Sequence, residues 1–171
     1  LEKSINTGAV YVQRKLGKEK FLNYLSKFGF FEKTNVDLPE IYSSNQNLKK
    51  GYEVNLATAA FGQGIEITSL QLVKSYLPLI NGGKMLKIYS VKKIIDQDRE
   101  RENFPEIEKE IISPETSREI SKMLLSVIEN GYSKKAKIEG YLIGGKTGTA
   151  QVPFSSLGIS KSGYSDKTIQ S

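Results

Sequence analysis

The sequence contains no cysteine and no histidine. These absences exclude disulfide bonds, thiolate nucleophiles and imidazole bases, and they remove the commonest protein ligands of transition metals. Any acid–base or nucleophilic chemistry must therefore use lysine, serine, tyrosine, aspartate or glutamate. We predict that the chain uses no metal ion and no cofactor.

Long apolar runs are also missing. No stretch of about 18 apolar residues is present, and the first residues lack the basic-then-apolar pattern of a secretion signal. The 25 lysine and arginine residues exceed the 19 acidic residues, which gives a formal net charge of +6, but acids lie among the basic residues along the chain. Because this mixing is typical of a solvated surface, we predict no nucleic-acid partner.

Apolar spacing predicts several helices in a chain of 171 residues, which is long enough for one domain with a core. The predicted helices lie on either side of Gly17, over residues 54–61, over residues 69–80 and from Pro114 to Asn130. Asn6 or Thr7 could cap the first helix, and Thr68 the helix over 69–80. The positions predicted to face inward are Leu70, Val73, Leu77 and Ile80 in that helix, and Ile120, Met123, Leu124, Val127 and Ile128 in the last one.

The remaining segments predict strands and connections. Residues 29–53 have little periodicity and predict an irregular connection, whereas residues 85–96 predict one strand. Another extended run begins at Lys167 and includes Ser171. The chain therefore combines helices with strands.

Residues 142–151 carry a glycine-flanked lysine followed by two threonines at alternate positions. In an extended segment, Lys146 and Gly148 would face one side while Thr147 and Thr149 face the other. Glycine inside a strand indicates close approach by a ligand or another backbone. Hydroxyls, free N–H groups and one ammonium would suit a peptide-like ligand that carries a carboxylate. A glycine-rich turn with a surface lysine is the alternative.

The same segment also matches the phosphate-binding loop of nucleotide hydrolases, from Gly140 to Thr147. That loop must follow a buried apolar strand and open a helix. Residues 133–139 are too charged for such a strand, and Gly148 and Pro153 disfavour a helix. Whether a helix begins at Lys146 decides this alternative.

Separated motifs occur in an order that resembles one known family. They are Ser4-Ile5-Asn6 before a helix, Phe61-Gly62-Gln63-Gly64 followed by Thr68-Ser69-Leu70-Gln71, Asn81-Gly82-Gly83, and Gly145-Lys146-Thr147-Gly148-Thr149-Ala150-Gln151. Over essentially the whole chain they resemble the transpeptidase domain of class B penicillin-binding proteins, and the cell-division type fits best. Ser69 departs locally, since the family usually has proline there. The resemblance implies a mixed α/β, penicillin-recognising serine-transferase fold with helices packed on an antiparallel sheet whose central strand holds residues 146–151.

One of the family's three motifs is missing. The motifs S-x-N and K-T-G are present, but S-x-x-K, which supplies the acylated serine and its activating lysine, has no match in the right place. Ser90 and Lys93 match its letters on a predicted strand, where they would face opposite sides. Ser43 and Asn45 likewise match S-x-N only by letters. We therefore predict that residues 1–171 are a partial transpeptidase domain, that the nucleophile lies before Leu1, and that this chain alone is inactive.

The resemblance implies catalytic roles for three residues. Ser4 resembles the hydroxyl that relays a proton to the leaving group, and Asn6 the side chain that binds the substrate amide. Lys146 resembles the cation that holds the proton network of Ser4. The side-chain heavy atoms of Ser4 and Lys146 should then lie within about 3–4 Å of each other, near hydrogen-bond reach.

The K-T-G segment would bind substrate. Thr147, Gly148 and Thr149 resemble the residues that contact the stem peptide or the carboxylate of a β-lactam, and the Thr149 N–H resembles an oxyanion-hole donor. The implied reaction is serine acyl transfer from D-Ala-D-Ala to an amine of a neighbouring peptidoglycan strand. Cell-division proteins would be partners, and a membrane anchor outside this chain would hold the protein at the extracytoplasmic face.

Alternatives with the same fold are a D,D-carboxypeptidase, a β-lactamase and a β-lactam sensor. A non-catalytic scaffold is the alternative from another functional class. If a segment before Leu1 normally covers the domain, apolar surface larger than about 400 Å² should be exposed. The residues expected on that surface include Val10, Leu70, Val73 and Leu124.

Overall fold

A computed structural model describes residues 1–97 and 99–170. The chain forms two compact units, each assembled from separate stretches of sequence. The first contains Leu1–Lys18, Lys50–Ile65 and Lys122–Ser171, and the second contains Glu19–Lys49 and Glu66–Ser121. The predicted mixed α/β class is confirmed, because helices and antiparallel strand pairs both occur.

The first unit begins with helix α1 (Asn6–Leu16) and includes helix α4 (Glu53–Ala59). Helix α1 ends at Gly17, whose φ of 84° is in the left-handed region that glycine adopts without a steric penalty. The predicted break at Gly17 is therefore confirmed, and helix α2 (Lys18–Lys27) follows it, with all of its residues after Lys18 in the second unit. The predicted cap is wrong: Ile5 occupies the cap position without a side-chain hydrogen bond, and Asn6 is already helical.

The first unit also contains an antiparallel pair of strands, β5 (Thr149–Pro153) and β6 (Tyr164–Gln170). Thr149 is paired with Gln170, and the register shifts between Gln151 and Pro153. The predicted strand over residues 146–151 is wrong at its start, since strand structure begins only at Thr149. Among the described residues β5 pairs with β6 alone, so it is not a central strand. Strand β6 begins before the predicted Lys167, and Ser171 lies outside the described residues.

The second unit contains helix α3 (Gln46–Lys49), helix α5 (Ser69–Ile80) and four short strands. Strands β1 (Lys84–Leu86) and β4 (Ile107–Glu110) form one antiparallel pair, and β2 (Lys93–Asp96) and β3 (Arg99–Glu102) form another. The single strand predicted over residues 85–96 is therefore wrong, because the chain leaves β1 and bends before β2. Helix α3 likewise interrupts the connection predicted over residues 29–53.

Helix α5 begins as predicted, but it buries a different face. Thr68 accepts a hydrogen bond from the Gln71 N–H and completes a capping box with the Gln71 side chain. The buried residues of the helix are Gln71, Lys74, Ser75 and Pro78, and Val73 remains 60% exposed. The predicted inward face of Leu70, Val73, Leu77 and Ile80 is therefore wrong. The buried amide and ammonium are tolerated because backbone carbonyls accept their hydrogen bonds.

Helix α6 spans Pro114–Asn130, as the sequence predicts. The hydroxyl of Ser113 accepts a hydrogen bond from the Thr116 N–H at 3.1 Å, which satisfies one free donor of the first turn. The predicted positions Leu124, Val127 and Ile128 are buried, Ile120 is half-buried and Met123 is 51% exposed. Ser117, which was not predicted to face inward, is also buried. Leu124 therefore does not belong to the exposed apolar surface expected from the sequence.

No helix among the described residues is long and apolar enough to cross a membrane.

Candidate functional site

Ser4 lies in a tight turn just before helix α1. Its N–H donates to the carbonyl of Leu1 at 3.0 Å, and its φ of 48° is left-handed. Non-glycine residues adopt this conformation infrequently, and such residues are concentrated at functional sites. The turn fixes the Ser4 side chain relative to the start of the helix.

Lys146 lies in the irregular segment that precedes β5, and its ammonium group meets Ser4. Its Nζ atom donates to Ser4 Oγ at 2.7 Å, to the Thr147 carbonyl at 3.0 Å and to Thr147 Oγ1 at 2.9 Å. The contact between Ser4 and Lys146 predicted from the motifs is therefore present. An ammonium has three donors and no acceptor, so these three oxygens use all of them.

Thr147 contacts the same ammonium, although strand alternation predicts that the two side chains face opposite sides. That prediction is wrong because residues 146–148 are not in a strand, so the alternation of a pleated backbone does not apply to them.

The pKa of Lys146 is lowered from its ordinary value because burial disfavours the charged ammonium. A lysine with a lowered pKa releases and accepts a proton more readily near neutral pH than a fully solvated lysine does. The pair Ser4 and Lys146 therefore combines a short hydrogen bond with a lysine that can take part in proton transfer.

Thr149 opens strand β5, and its carbonyl has a partner that the motif analysis did not place there. Gln63 Nε2 donates to this carbonyl at 3.4 Å. Gly62 and Gly64 on either side of Gln63 have left-handed φ values of 87° and 65°, which a tight loop between them requires. The sequence motif of residues 61–64 contributed to the family resemblance, but it did not predict the hydrogen bond between Gln63 and Thr149.

The family model for the penicillin-binding protein transpeptidase domain matches residues 1–164. The chain belongs to this family. The class B penicillin-binding protein transpeptidase predicted from the motif order is thereby confirmed.

Relatives of the transpeptidase family match the chain in sequence and in structure. It is 39% identical to stage V sporulation protein D of Bacillus subtilis, over 88% of this chain and 24% of that protein. It is 31% identical to the peptidoglycan D,D-transpeptidase FtsI homolog of Mesostigma viride, over 99% of this chain and 31% of that protein. The chain thus spans a quarter to a third of the length of these relatives.

A solved structure extends this similarity to the fold. Penicillin-binding protein 3 of Mycobacterium tuberculosis, complexed with aztreonam, matches with a TM-score of 0.80 and 27% identity. The match covers 96% of this chain and 38% of that one. The fold of the penicillin-binding transpeptidases predicted from the motifs is therefore confirmed.

Among the described residues, Asn6 is the one predicted catalytic residue that is not hydrogen-bonded to either of the other two. It is the first residue of α1, and its side chain is exposed. Within residues 1–97 and 99–170, no hydrogen bond to its side chain is found. Gly148, by contrast, lies between Thr147 and Thr149 and is half-buried.

Ser90 and Asn45 belong to segments that match catalytic motifs only by letters, and the side chains of both residues form hydrogen bonds elsewhere in the fold. Ser90 lies in a bend, and its Oγ donates to Asp37 Oδ1 at 2.9 Å. Asn45 is buried and its Nδ2 donates to the carbonyls of Phe30 and Glu66 at 2.9 and 2.7 Å. Ser90 precedes β2 and does not lie inside a strand as expected, but it is not on a helix either, so the transpeptidase S-x-x-K geometry is absent there.

The nucleotide-binding alternative is excluded by local structure. No helix begins at Lys146, because residues 141–148 are irregular and a strand follows. A phosphate-binding loop needs a helix at this position, whose N–H groups would receive the phosphate. In the described part of the chain, no group of three or more acidic residues is arranged to hold a metal ion.

Proposed function

We propose that residues 1–171 form part of the transpeptidase domain of a peptidoglycan D,D-transpeptidase that cross-links stem peptides during septal wall synthesis. The observation that carries the proposal is the 2.7 Å hydrogen bond from Lys146 Nζ to Ser4 Oγ, inside a chain of the transpeptidase family. One relative of the chain, the FtsI homolog of Mesostigma viride, is a peptidoglycan D,D-transpeptidase by name, which supports the proposal.

The proposed reaction needs a serine nucleophile from a segment outside these residues. That serine attacks the carbonyl carbon of the penultimate D-alanine of D-Ala-D-Ala, and the C–N bond to the terminal D-alanine breaks. The departing nitrogen takes a proton and leaves as D-alanine. An amine of a second strand then attacks the acyl-enzyme, releases the serine and forms the cross-link.

Ser4 and Lys146 have proton-transfer roles in this proposal. The Ser4 hydroxyl accepts a hydrogen bond from Lys146, which leaves its own O–H free to donate to the departing nitrogen. The lowered pKa of Lys146 suits it to replace that proton. Asn6, at the start of α1, would turn its amide toward the substrate when a ligand is present.

The segment from Thr147 to Thr149 would bind the ligand. Thr147 and Thr149 are exposed, so their hydroxyls are accessible to a carboxylate, and Gly148 lets a ligand approach the backbone between them. The Thr149 N–H would donate to the oxyanion of the tetrahedral intermediate. β-Lactams are proposed ligands of the same segment, and the structurally similar protein complexed with aztreonam supports this.

The proposal also covers where the protein acts and with what. Its peptidoglycan substrate lies outside the cytoplasm, so the domain would work at the extracytoplasmic face of the cell membrane, held by an anchor outside residues 1–171. Cell-division proteins are the proposed partners.

Labelling with a fluorescent penicillin tests the proposal. The chain alone should give no covalent band on a denaturing gel, because it lacks the S-x-x-K serine. The longer natural polypeptide that contains these residues should give a band, and Lys146→Met should abolish most of it. An unlabelled longer polypeptide that is folded would contradict the proposal, and so would a band on the isolated chain.

A further inference from the structure

We propose that the last two turns of helix α6 and the glycine after them position Ser4 and Lys146 relative to each other. The residues that do this are Leu124, Ser126, Val127, Ile128 and Gly131, which we call the α6 platform. Gly131 and Gly144 are then positioning residues of the site. The expected effect on the acylation rate rests on the proposed function, whereas the positioning of Ser4 and Lys146 does not.

The segment that carries Lys146 is held against the platform by its backbone. The Gly145 N–H donates to the Leu124 carbonyl at 3.1 Å. A Cβ atom added at Gly144 would lie 3.1 Å from Leu124 Cβ and 3.4 Å from the Leu125 nitrogen. The distance to Leu124 Cβ is tighter than an ordinary van der Waals contact, so a side chain at Gly144 requires the segment and the helix to separate by a few tenths of an ångström.

The segment that carries Ser4 is held by the same part of the helix. The Ser126 hydroxyl donates to the Glu2 carboxylate, and Asn130 Nδ2 donates to Ser126 Oγ at 3.0 Å. A Cβ atom added at Gly131 would lie 2.9 Å from the Glu2 carbonyl oxygen and closer still to that of Val127. Both carbonyl oxygens belong to the backbone, so no change of side-chain rotamer can relieve the clash.

Ser4 follows any movement of Glu2, because the two residues belong to one turn closed by the Ser4 N–H to Leu1 carbonyl bond of 3.0 Å. The platform itself is rigid: Leu124, Val127 and Ile128 are 8%, 2% and 3% exposed. Ser4 and Lys146 are 142 positions apart in sequence, and both of their segments contact this one helix. A displacement of about 1 Å on either side would break their hydrogen bond and could slow the reaction by about 10²-fold.

The test compares Gly131→Ala, Gly144→Ala and Ser126→Ala with the matched control Gly8→Ala. Gly8 lies in α1, and an added Cβ atom there meets only Ile5 at 3.9 Å. The readout in this chain is the titration of Lys146, followed through its ε-carbon by nuclear magnetic resonance. The Gly131 and Gly144 variants should raise the pKa of Lys146 toward its ordinary value of 10.5 by exposing the ammonium, while circular dichroism retains the helices.

The same variants in the longer polypeptide should lower the rate of penicillin acylation by about tenfold or more, and Gly8→Ala should not. If Gly131→Ala does not fold, the titration of Lys146 in Gly144→Ala decides the question. Folded variants that retain the wild-type titration of Lys146 would overturn the inference. An unlabelled wild-type longer polypeptide would instead count against the proposed function, and the titration would still decide the positioning role.

Discussion

Lys146 is the residue on which most of the proposed chemistry of the site depends. Three oxygen atoms at 2.7 to 3.0 Å accept its hydrogen bonds, yet no carboxylate is hydrogen-bonded to it among the described residues. Neutral oxygens compensate the loss of hydration less fully than a carboxylate would, so burial can lower the pKa of this lysine. Lysine in this state can exchange a proton with a neighbouring hydroxyl.

The first prediction is that Lys146 titrates below 10.5, the ordinary lysine value. Its ε-carbon resonance, assigned by its loss in Lys146→Arg, should show a midpoint under that value. The consequence for stability has a definite sign, because the folded-state pKa is lower than the unfolded one. The stabilising contribution is complete above 10.5 and is lost as the pH falls through the folded-state pKa. A midpoint at or above 10.5 would contradict the prediction.

The sequence predicted which residues form the candidate site better than it predicted how their side chains are oriented. Ser4 and Lys146 could be paired from the motifs because their types and order are specific to a known chemistry. The contact of Thr147 with the ammonium could not, because it depends on where strand β5 begins, at Thr149. Gln63 was visible as part of a motif, but its 3.4 Å contact with the Thr149 carbonyl joins segments 86 positions apart.

Helix α5 shows why amphipathic spacing alone can select the wrong face. Gln71 is 1% exposed, and its Nε2 donates to the carbonyls of Glu32 and Ser43 at 3.0 Å each. Lys74 is buried as well, and its Nζ donates to the Thr34 carbonyl at 2.9 Å and lies 2.7 Å from a Glu108 oxygen. Periodicity is read from apolar side chains alone. It therefore cannot predict the burial of polar side chains whose hydrogen-bond partners are distant in sequence.

The second prediction concerns Gln71 as a structural link in this unit. Gln71→Ala should lower the free energy of unfolding by roughly 3 kcal/mol, because the substitution removes a buried amide and its hydrogen bonds to the carbonyls of Glu32 and Ser43. The matched control is Gln46→Ala, at an exposed glutamine of α3, which should change stability by less than about 0.5 kcal/mol. Urea unfolding followed by circular dichroism measures both. Equal effects of the two substitutions would show that the amide network contributes little.

The turn that separates strands β1 and β2 depends on one carboxylate. Asp37 accepts from the Ser90 and Val91 N–H groups at 2.8 and 2.9 Å, and these backbone hydrogen bonds lower its pKa below 3.8. The bend at Ser90 interrupts what apolar content predicts as one strand. Because Asp37 lies 53 positions earlier than Ser90, no local pattern reveals the interruption.

The third prediction follows from that lowered pKa. A carboxyl group with a depressed folded-state pKa contributes stability that is present above 3.8 and lost as the pH falls through the folded value. The amide resonances of Ser90 and Val91 should therefore titrate with a midpoint below 3.8. In Asp37→Asn the titration should disappear. Its persistence in that variant would mean that another group controls the turn.

For the whole molecule, the family could be predicted because separated motifs keep a fixed order that local errors do not disturb. The pairing of strands could not, since β1 pairs with β4 across the intervening hairpin β2–β3. That residues 1–171 are a partial domain stays a prediction. Of the residues expected on an uncovered apolar surface, Val73 is exposed and Leu124 is buried, and the continuous surface of more than about 400 Å² likewise stays a prediction.

The proposed function requires that Ser4 and Lys146 act as one unit in acyl transfer. A double-mutant cycle of the acylation rate in the longer polypeptide tests it, with Ser4→Ala, Lys146→Met and the double variant. The exposed Lys137 supplies the control, since Lys137→Met should leave the effect of Ser4→Ala unchanged. We predict that the double variant is about as slow as the slower single variant, a coupling of about 0.5–3 kcal/mol. Rate losses that simply multiply, as for independent residues, would contradict the claim.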